Sequence, residues 1–330
     1  MSIRRESRSG GAVVSVVLIT WNSAPFLRRC LEGLAQQTHR ALELIVVDNA
    51  SADDSVALVS AHAERMIRNE TNRGFSAAVN QAVAVANGEL VMLLNPDCFL
   101  MPDYVEKLVV LFDLRPELGA ASGLLLRALG ENIEPTREID SMGIRMTRNG
   151  RHLDLHQGAP ADRHQMSDSF EVFGVSGAAA MFRQSFLRDV AVDGEVFDED
   201  FFAYREDADL AWRGRLLGWT ARCEPAAVAY HVRRVTPEVR ASLPASLNMH
   251  SVKNRFLLRL KNEGAYLALR NAPFAWMRDG MVLIAAMTIE RSSLPAFAWL
   301  WRNRVRVLAK RRIIQSRRRV SDRELARWFR

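Results

Sequence analysis

"ELVMLLNPDCFL", residues 89–100, is an apolar run that stops at Asn95, Pro96 and Asp97 and then turns apolar again. No polar residue interrupts Leu90 to Leu94, so the segment reads as a strand buried on both faces, as in a parallel sheet covered by helices on each side. Taken alone, Asn-Pro-Asp is a turn, because Pro fixes φ and Asn and Asp suit turn geometry. Upstream lie "VVSVVLIT" (13–20), "LELIVVD" (42–48) and "RMIRN" (65–69), spaced by helical patterns at 24–37, 53–64 and 75–86, with another helix at 102–112. Apolar strands alternating with helices of this length build βαβ units. The fold class is therefore α/β: an open, mostly parallel central sheet with helices on both faces. In such sheets ligands bind at the carboxyl ends of the strands. Thr20, Trp21 and Asn22 stand at the first end, Asp48, Asn49 and Ser51 at the second, and Asn95 and Asp97 at the fourth.

Residues 127–170 lose this rhythm and carry Gly130, Gly143, Gly150, Gly158 and Pro160, which predicts a mobile excursion or a small hairpin able to close over a site. "EVFGVSGAAAMFRQSFLRDV" (171–190) follows as a small-residue strand and a helix, "AYREDADLAWRGRLLGW" (203–219) as a helix ending at Gly218, and "TARCEPAAVAYHV" (220–232) as a final strand. From residue 248 the pattern is helical and amphipathic. The expected organisation is a flexible N-terminus (1–12), a catalytic domain (13–247) and a basic helical extension (248–330).

The 330 residues are 48% hydrophobic and 25% charged, ample for a sizeable core. Three scattered cysteines, Cys30, Cys98 and Cys223, fit free thiols in a reducing cytoplasm better than disulfides or a thiolate metal site. The basic start "MSIRRESRSGG" and the following "AVVSVVLIT" resemble a signal peptide only in part, since no small-residue cleavage site precedes "WNS". The longest late apolar run, "MVLIAAMTI" (281–289), is about half the ~18 residues of a membrane-spanning helix.

Several groups carry candidate chemistry. Glu206, Asp207 and Asp209 open a helix, where acids also simply favour the helix dipole. Glu206, Asp209 and Arg213 share a face and are expected to pair, leaving Asp207 to point elsewhere. A hard divalent cation takes few protein ligands beside a substrate diphosphate, so one acid at a strand end, Asp97, with His231 as a further ligand, suffices for Mg²⁺ or Mn²⁺. In "NETNRGFSAAVNQAV" (69–83), Asn72, Arg73 and Gly74 precede a helix whose N-terminus favours a diphosphate; an ordinary helix cap beside a surface Arg has the same pattern. No GxGxxG follows the first strand and no GxxxxGK[ST] occurs, which argues against dinucleotide oxidoreductases and P-loop NTPases.

Four ordered motifs, "SVVLITWNSAPFLRRCLEGLAQQTHRALELIVVDNASADDS", "NRGFSAAVNQA", "LLNPD" and "FDEDFFAYREDADLAWRGRLLGW…YH", span residues 13–233. Together they resemble the inverting family 2 glycosyltransferases of the GT-A fold, a Rossmann-like architecture, and most of all the rhamnosyltransferase-like enzymes of bacterial cell-surface polysaccharide assembly. The resemblance implies that Thr20, Asn22 and Asp48 line the nucleotide's base and ribose. It implies that Asn72, Arg73 and Gly74 close the other side of that pocket, with Asn95 and Glu206 completing it. Asp97 then survives from the family's DxD metal motif, whose first acid is Asn95 here, a weaker ligand. His231 completes the metal site and Asp207 is the general base. The implied donor is a dTDP- or UDP-sugar, with rhamnose foremost, and the implied acceptor is a saccharide, free or polyprenyl-linked. A sugar-phosphate nucleotidyltransferase and a non-catalytic nucleotide-sugar-binding assembly partner are the alternatives.

Net charge is +7, and residues 248–330 hold 19 Lys and Arg against 5 Asp and Glu, so a −7 body carries a +14 tail. The stretch 300–330, with 12 basic residues among Leu, Val, Ile, Trp and Phe, suits the headgroup layer of an anionic membrane, and hence a peripheral location on the inner face of the plasma membrane. Packing of the tail on the body or on a second subunit, as in a homodimer, is the other reading. No nucleic-acid-reading motif accompanies the charge.

Overall fold

The computed structural model describes residues 12–164, 168–233 and 245–330. The N-terminus expected to be flexible lies, except for Ala12, outside the described residues, as do 234–244 beside the expected domain boundary. The first half alternates β1 (Val14–Thr20), α1 (Ala24–Ala35), β2 (Leu42–Asp48), α2 (Ser55–Ser60), β3 (Arg65–Arg68), α3 (Phe75–Val85), β4 (Leu90–Leu94), β5 (Cys98–Leu100) and α4 (Tyr104–Asp113). Then come β6 (Leu118–Leu129), β7 (Glu134–Ser141), β8 (Ile144–Met146), β9 (His152–Asp154), β10 (Phe170–Glu171), β11 (Ala179–Arg183), α5 (Gln184–Val190), α6 (Glu206–Leu216) and β12 (Thr220–His231). The chain closes with α7 (Ala245–Asn262), α8 (Ala265–Thr288), α9 (Pro295–Arg302), α10 (Arg304–Ser316) and α11 (Asp322–Leu325).

The main sheet runs β10-β12-β6-β11-β4-β1-β2-β3, with β5 added to β12 and β7 to β6. Pairing is parallel across β4, β1, β2 and β3 and between β6 and β12, whereas β11 is antiparallel to both its neighbours. Every residue of β2 and β4 is buried, because helices cover both faces; this is the physical origin of the unbroken apolar run of β4 and of the mostly apolar β2, whose Glu43 and Asp48 are hydrogen-bonded. On α1, Phe26, Leu27, Cys30, Leu31 and Leu34 form the buried stripe.

Strand β6 lies in a part of the sequence that gave no strand signal, because it is rich in Gly and Ala. Those small residues are needed: a Cβ on Gly123 would strike the backbone of Ala227 and the ring of Tyr104. The polar stretch 127–170 resolves into a hairpin, β7 folding back on β6, followed by the β8–β9 pair.

The basic extension shares a core with the body. Phe173, Phe201 and Trp212 pack with Leu257, Leu258, Val307, Ile314 and Phe329. Three of its lysines are buried outright: Lys253 at 2%, Lys261 at 0% and Lys310 at 3% exposure. Their partners come from "DEDFFAYRED" (198–207) and its surroundings. Lys261 pairs with Asp198 and, at 3.2 Å, with Asp209. Lys310 meets Glu195 at 2.8 Å, Asp198 at 2.9 Å and Asp200 at 3.4 Å. Lys253 donates to the carbonyl of Asp200. Lys261 and Lys310 hold the Asp198 carboxyl well below the usual carboxylate range, against the opposing effect of burial.

Removing one member of a buried ion pair leaves the other charge uncompensated. Lys261→Met is therefore expected to lower the unfolding free energy by about 3–5 kcal/mol, read by urea denaturation; a loss below about 1 kcal/mol would mean that the cluster is solvated.

Candidate active site

The strand ends converge as connected groups. Thr20 Oγ1 donates to Asp48 Oδ1 at 2.9 Å, and Asp48 Oδ2 accepts from the backbone of Ser51 at 3.1 Å. Asn22 sits at φ 49°, its amide oxygen accepting from the backbone of Ala52 at 2.8 Å. Asn49 ties this edge to the next loop: its side chain donates to Asn72 Oδ1 and to the Gly74 carbonyl, each at 3.1 Å, and accepts from the Arg73 backbone at 3.1 Å. Thr20, Asn22, Asp48, Asn72, Arg73 and Gly74 thus form one rim, with Arg73 exposed on it. Gly74, at φ +86°, caps α3, and a Cβ there would lie 2.6 Å from the Phe202 ring. Only glycine meets both demands.

A second group forms around β4 and β12. The turn Asn95-Pro96-Asp97 leads into β5, which pairs with β12 in the register Cys98↔His231. That ladder, extended by the Val232 amide donating to the Asp97 carbonyl at 2.9 Å, sets Asp97 beside His231, with Oδ1 and Nε2 3.5 Å apart. The other imidazole nitrogen, Nδ1, bonds Asp140 Oδ2 at 2.8 Å. Asp140 also receives Arg233 at 2.8 Å, and Arg233 reaches Asp154 at 2.7 Å. Burial opposes a charged imidazole, but the bonds to Asp140 and Asp97 outweigh it and push His231 up to about 9. Asp140, despite its own burial, is held down to about 2 by His231 and Arg233.

Asp207 closes the arrangement. Its Oδ2 is 3.5 Å from the Gly177 amide, and the next residue, Ala178, accepts the Asn95 amide at 2.8 Å. One short segment therefore separates the base candidate from the Asn95–Asp97 turn. Burial beside Val175, Leu210 and Ala211, then the Asp154 charge, lift Asp207 to about 6. Burial and the charge of Asp207 lift Glu206 to about 8. The expected pairing of Glu206 with Arg213 is not formed. Arg213 takes Asp209 at 2.8 Å, while Glu206 Oε2 is shut from water without a hydrogen-bond partner among the described residues. The reason is that Asp209 already satisfies Arg213, four residues along the helix.

The loop entering α6 is strained: Phe202, Tyr204 and Arg205 have φ of 64°, 69° and 72°. Buried Asn254 of α7 holds it, its amide donating to the carbonyls of Phe201 (2.9 Å), Ala203 (2.7 Å) and Tyr204 (2.8 Å). Asp140, Asp154, Arg233, Asn49 and Asn254 were not candidates from sequence. Of these, only Asn49 had a signal, its place at a strand end.

Among the described residues no three His, Cys, Asp or Glu side chains are grouped to hold a metal by themselves. Asp97 and His231 nevertheless suit a divalent cation. With Nδ1 turned to a carboxylate, the imidazole presents Nε2 toward Asp97, the arrangement in which an outer carboxylate orients a metal-binding histidine.

Residues 15–191 match the model of glycosyl transferase family 2. The chain belongs to that family. It is a glycosyltransferase with the GT-A fold. It is 28% identical over 305 residues, covering 86% of this chain and 94% of the relative, to N-acetylglucosaminyl-diphospho-decaprenol L-rhamnosyltransferase of Mycobacterium tuberculosis. Solved structures share the fold. GalNAc-T7 with UDP, GalNAc and Mn²⁺ superposes with TM-score 0.60 at 14% identity, over 77% of this chain and about half (48%) of its own. The mannosyltransferase PcManGT of Pyrobaculum calidifontis, with GDP-Man and Mn²⁺, gives 0.51 at 19%, over 94% and 84%.

Loss of the Asn254 amide leaves buried carbonyls unsatisfied, at about 1–3 kcal/mol. Asn254→Ala is expected to cut kcat at least tenfold while donor affinity changes less than threefold; equal kcat in the variant would show that the loop holds its shape unaided.

Proposed function

We propose that the protein is a metal-dependent inverting glycosyltransferase that moves a sugar, rhamnose foremost, from a dTDP- or UDP-linked donor to a polyprenyl-diphosphate-linked saccharide in cell-surface polysaccharide synthesis. The observation that carries this reading is the convergence of Asp97, His231 and Asp207 at the carboxyl edge of the sheet. Similarity to the mycobacterial rhamnosyltransferase over most of both chains supports the donor and the acceptor. Family membership disfavours a sugar-phosphate nucleotidyltransferase, and a turnover assay separates an enzyme from a silent nucleotide-sugar binder.

In this reading Thr20, Asn22 and Asp48 take the nucleoside, and Asn72, Arg73 and Gly74, at the N-terminus of α3, face the diphosphate, with Asn95 and Glu206 toward the sugar. Asp97 and His231 would hold Mg²⁺ or Mn²⁺, which when bound neutralises charge developing on the leaving diphosphate. To ligate it, His231 gives up its Nε2 proton, so cation affinity rises with pH. Asp207, ionised above about 6, accepts the proton of the acceptor hydroxyl as the new bond forms on the opposite face of the anomeric carbon. Glu206, raised to about 8, stays protonated at neutral pH, so of the adjacent Glu206 and Asp207 only Asp207 is negative there. The catalytic unit is taken as 13–247 with 248–330 a helical extension, peripheral at the inner face of the plasma membrane.

Asp207→Asn should lower kcat by roughly 10²-fold or more with donor Kd nearly unchanged; a variant that retains most of its turnover removes Asp207 as base. In the wild type, kcat/KM should rise with pH through about 6 as Asp207 ionises and then level, and this limb should be absent in the variant. Asp97→Ala should weaken nucleotide-sugar and Mn²⁺ binding together in calorimetric titrations; unchanged titrations remove the metal site.

A further inference from the structure

Helix α8 is amphipathic in the reverse sense. Its solvent face carries Leu269, Trp276, Met277, Met281, Ile284 and Met287, each at least half exposed, with Leu269 at 79% and Trp276 at 72%. At 3.6 residues per turn they fall on one broad face. The face turned inward holds Asn271, Ala272, Ala275 and Ala286, together with Asp279, which pairs with Arg255 at 3.0 Å and Arg259 at 2.6 Å. The large apolar side chains are thus mostly in water, while the face against the protein is Leu267, alanines, Asn271 and the paired Asp279.

An exposed apolar face of this extent marks a docking surface. The charge of the chain that follows indicates the occupant. Between residues 265 and 320 every fully exposed charged side chain is an arginine, including Arg291, Arg302, Arg304 and Arg312. Trp301, 69% exposed, and Val305, 73% exposed, are further large apolar side chains in water along the same stretch of chain. Two copies of this face brought together would set like charges against each other. An anionic headgroup layer complements them, with aromatic rings at its boundary. Among the described residues no single helix is long and apolar enough to cross a membrane, although α8 and the segment 291–302, bent by 111°, reach that apolar length together. A surface-lying arrangement needs no crossing.

We propose that α8, with the arginines that follow it, docks the enzyme in the plane of an anionic membrane. The role expected of residues 300–330 as a whole moves to α8, because the apolar side of α10, Val307 and Ile314, is spent on the protein core. The proposal deepens, and for its purpose rests on, the reading of a polyprenyl-linked acceptor.

The test is co-sedimentation of the full-length chain with phosphatidylcholine vesicles, with and without phosphatidylglycerol. Binding that requires phosphatidylglycerol is expected. Met277→Asp with Ile284→Asp should reduce it at least tenfold, and Arg302→Glu with Arg304→Glu should remove the phosphatidylglycerol preference. Should the aspartate pair fail to fold, quenching of wild-type tryptophan emission by brominated acyl chains, diminished in Trp276→Phe, replaces it. A wild type that remains in the supernatant, an aspartate pair that still binds, or a stable dimer dissolved by that pair without vesicle binding overturns the proposal. Transfer to a water-soluble acceptor analogue should be unchanged in all these variants. Vesicle binding without transfer to any lipid-linked acceptor would strike the acceptor reading and leave docking intact.

Discussion

Burial of three ammonium groups constrains this molecule more than any other single interaction. Lys253, Lys261 and Lys310 leave water only because Asp198, Asp200, Asp209 and Glu195 receive them, and an ammonium buried without such partners would cost several kcal/mol. The acidic segment 198–209 is consequently fixed between the sheet and the C-terminal helices. Its carbonyl at Phe202 accepts the amides of Phe75 (2.6 Å) and Ser76 (3.3 Å), capping α3 beside Gly74. The same segment, through Arg205, launches α6 with Asp207 in its first turn. Both walls of the crevice, the one proposed to take the donor and the one carrying the proposed base, therefore depend on charges supplied by the C-terminal helices.

Most of the half of the fold built from β1 to α4 was readable because its central strands are dominantly apolar and α1 carries an amphipathic stripe, whereas the three-residue β5 was too short to signal itself. Site residues at strand ends were readable for the same reason, since the ends of parallel strands are topologically equivalent positions. The rest depended on pairings between residues far apart in the chain. His231 and Asp140 lie 91 residues apart, and Arg233 and Asp154 lie 79 apart. Nothing local marks them. Strand β6 was hidden by the small residues that close packing demands, and the tail's positive charge suggested a membrane-facing surface, whereas part of it packs on the body, which was the other reading. Pattern reports the face a residue needs; it is silent on which distant partner supplies it.

The electrostatics of the crevice follow from one alternating row. Asp97, His231, Asp140, Arg233 and Asp154 succeed each other with opposite signs when the imidazole is protonated, so each buried charge has a neighbour to compensate it. The row ends on Asp154 near Asp207, where signs no longer alternate. Repulsion there adds to desolvation and raises Asp207 to about 6. A carboxylate so placed is basic enough to take a proton in the transition state and still ionised at neutral pH. Arg233 partly neutralises Asp154, so the ion pairs around the histidine and the basicity of Asp207 are tuned by the same side chains.

The proposed orientation at a membrane has a structural route to the site. The inward charge of α8, Asp279, is held by Arg255 and Arg259 on α7. Helix α7 also carries Lys253, Asn254 and Lys261, which fix the strained loop and the acidic segment. From α8 to Asp207 the path runs through buried ion pairs and the hydrogen bonds that Asn254 donates, contacts that tolerate little displacement because each would leave a polar group unsatisfied. A surface helix joined to the base in this way presents the crevice at a fixed attitude to whatever plane it lies on, which is the geometric requirement for an acceptor whose lipid end stays in that plane.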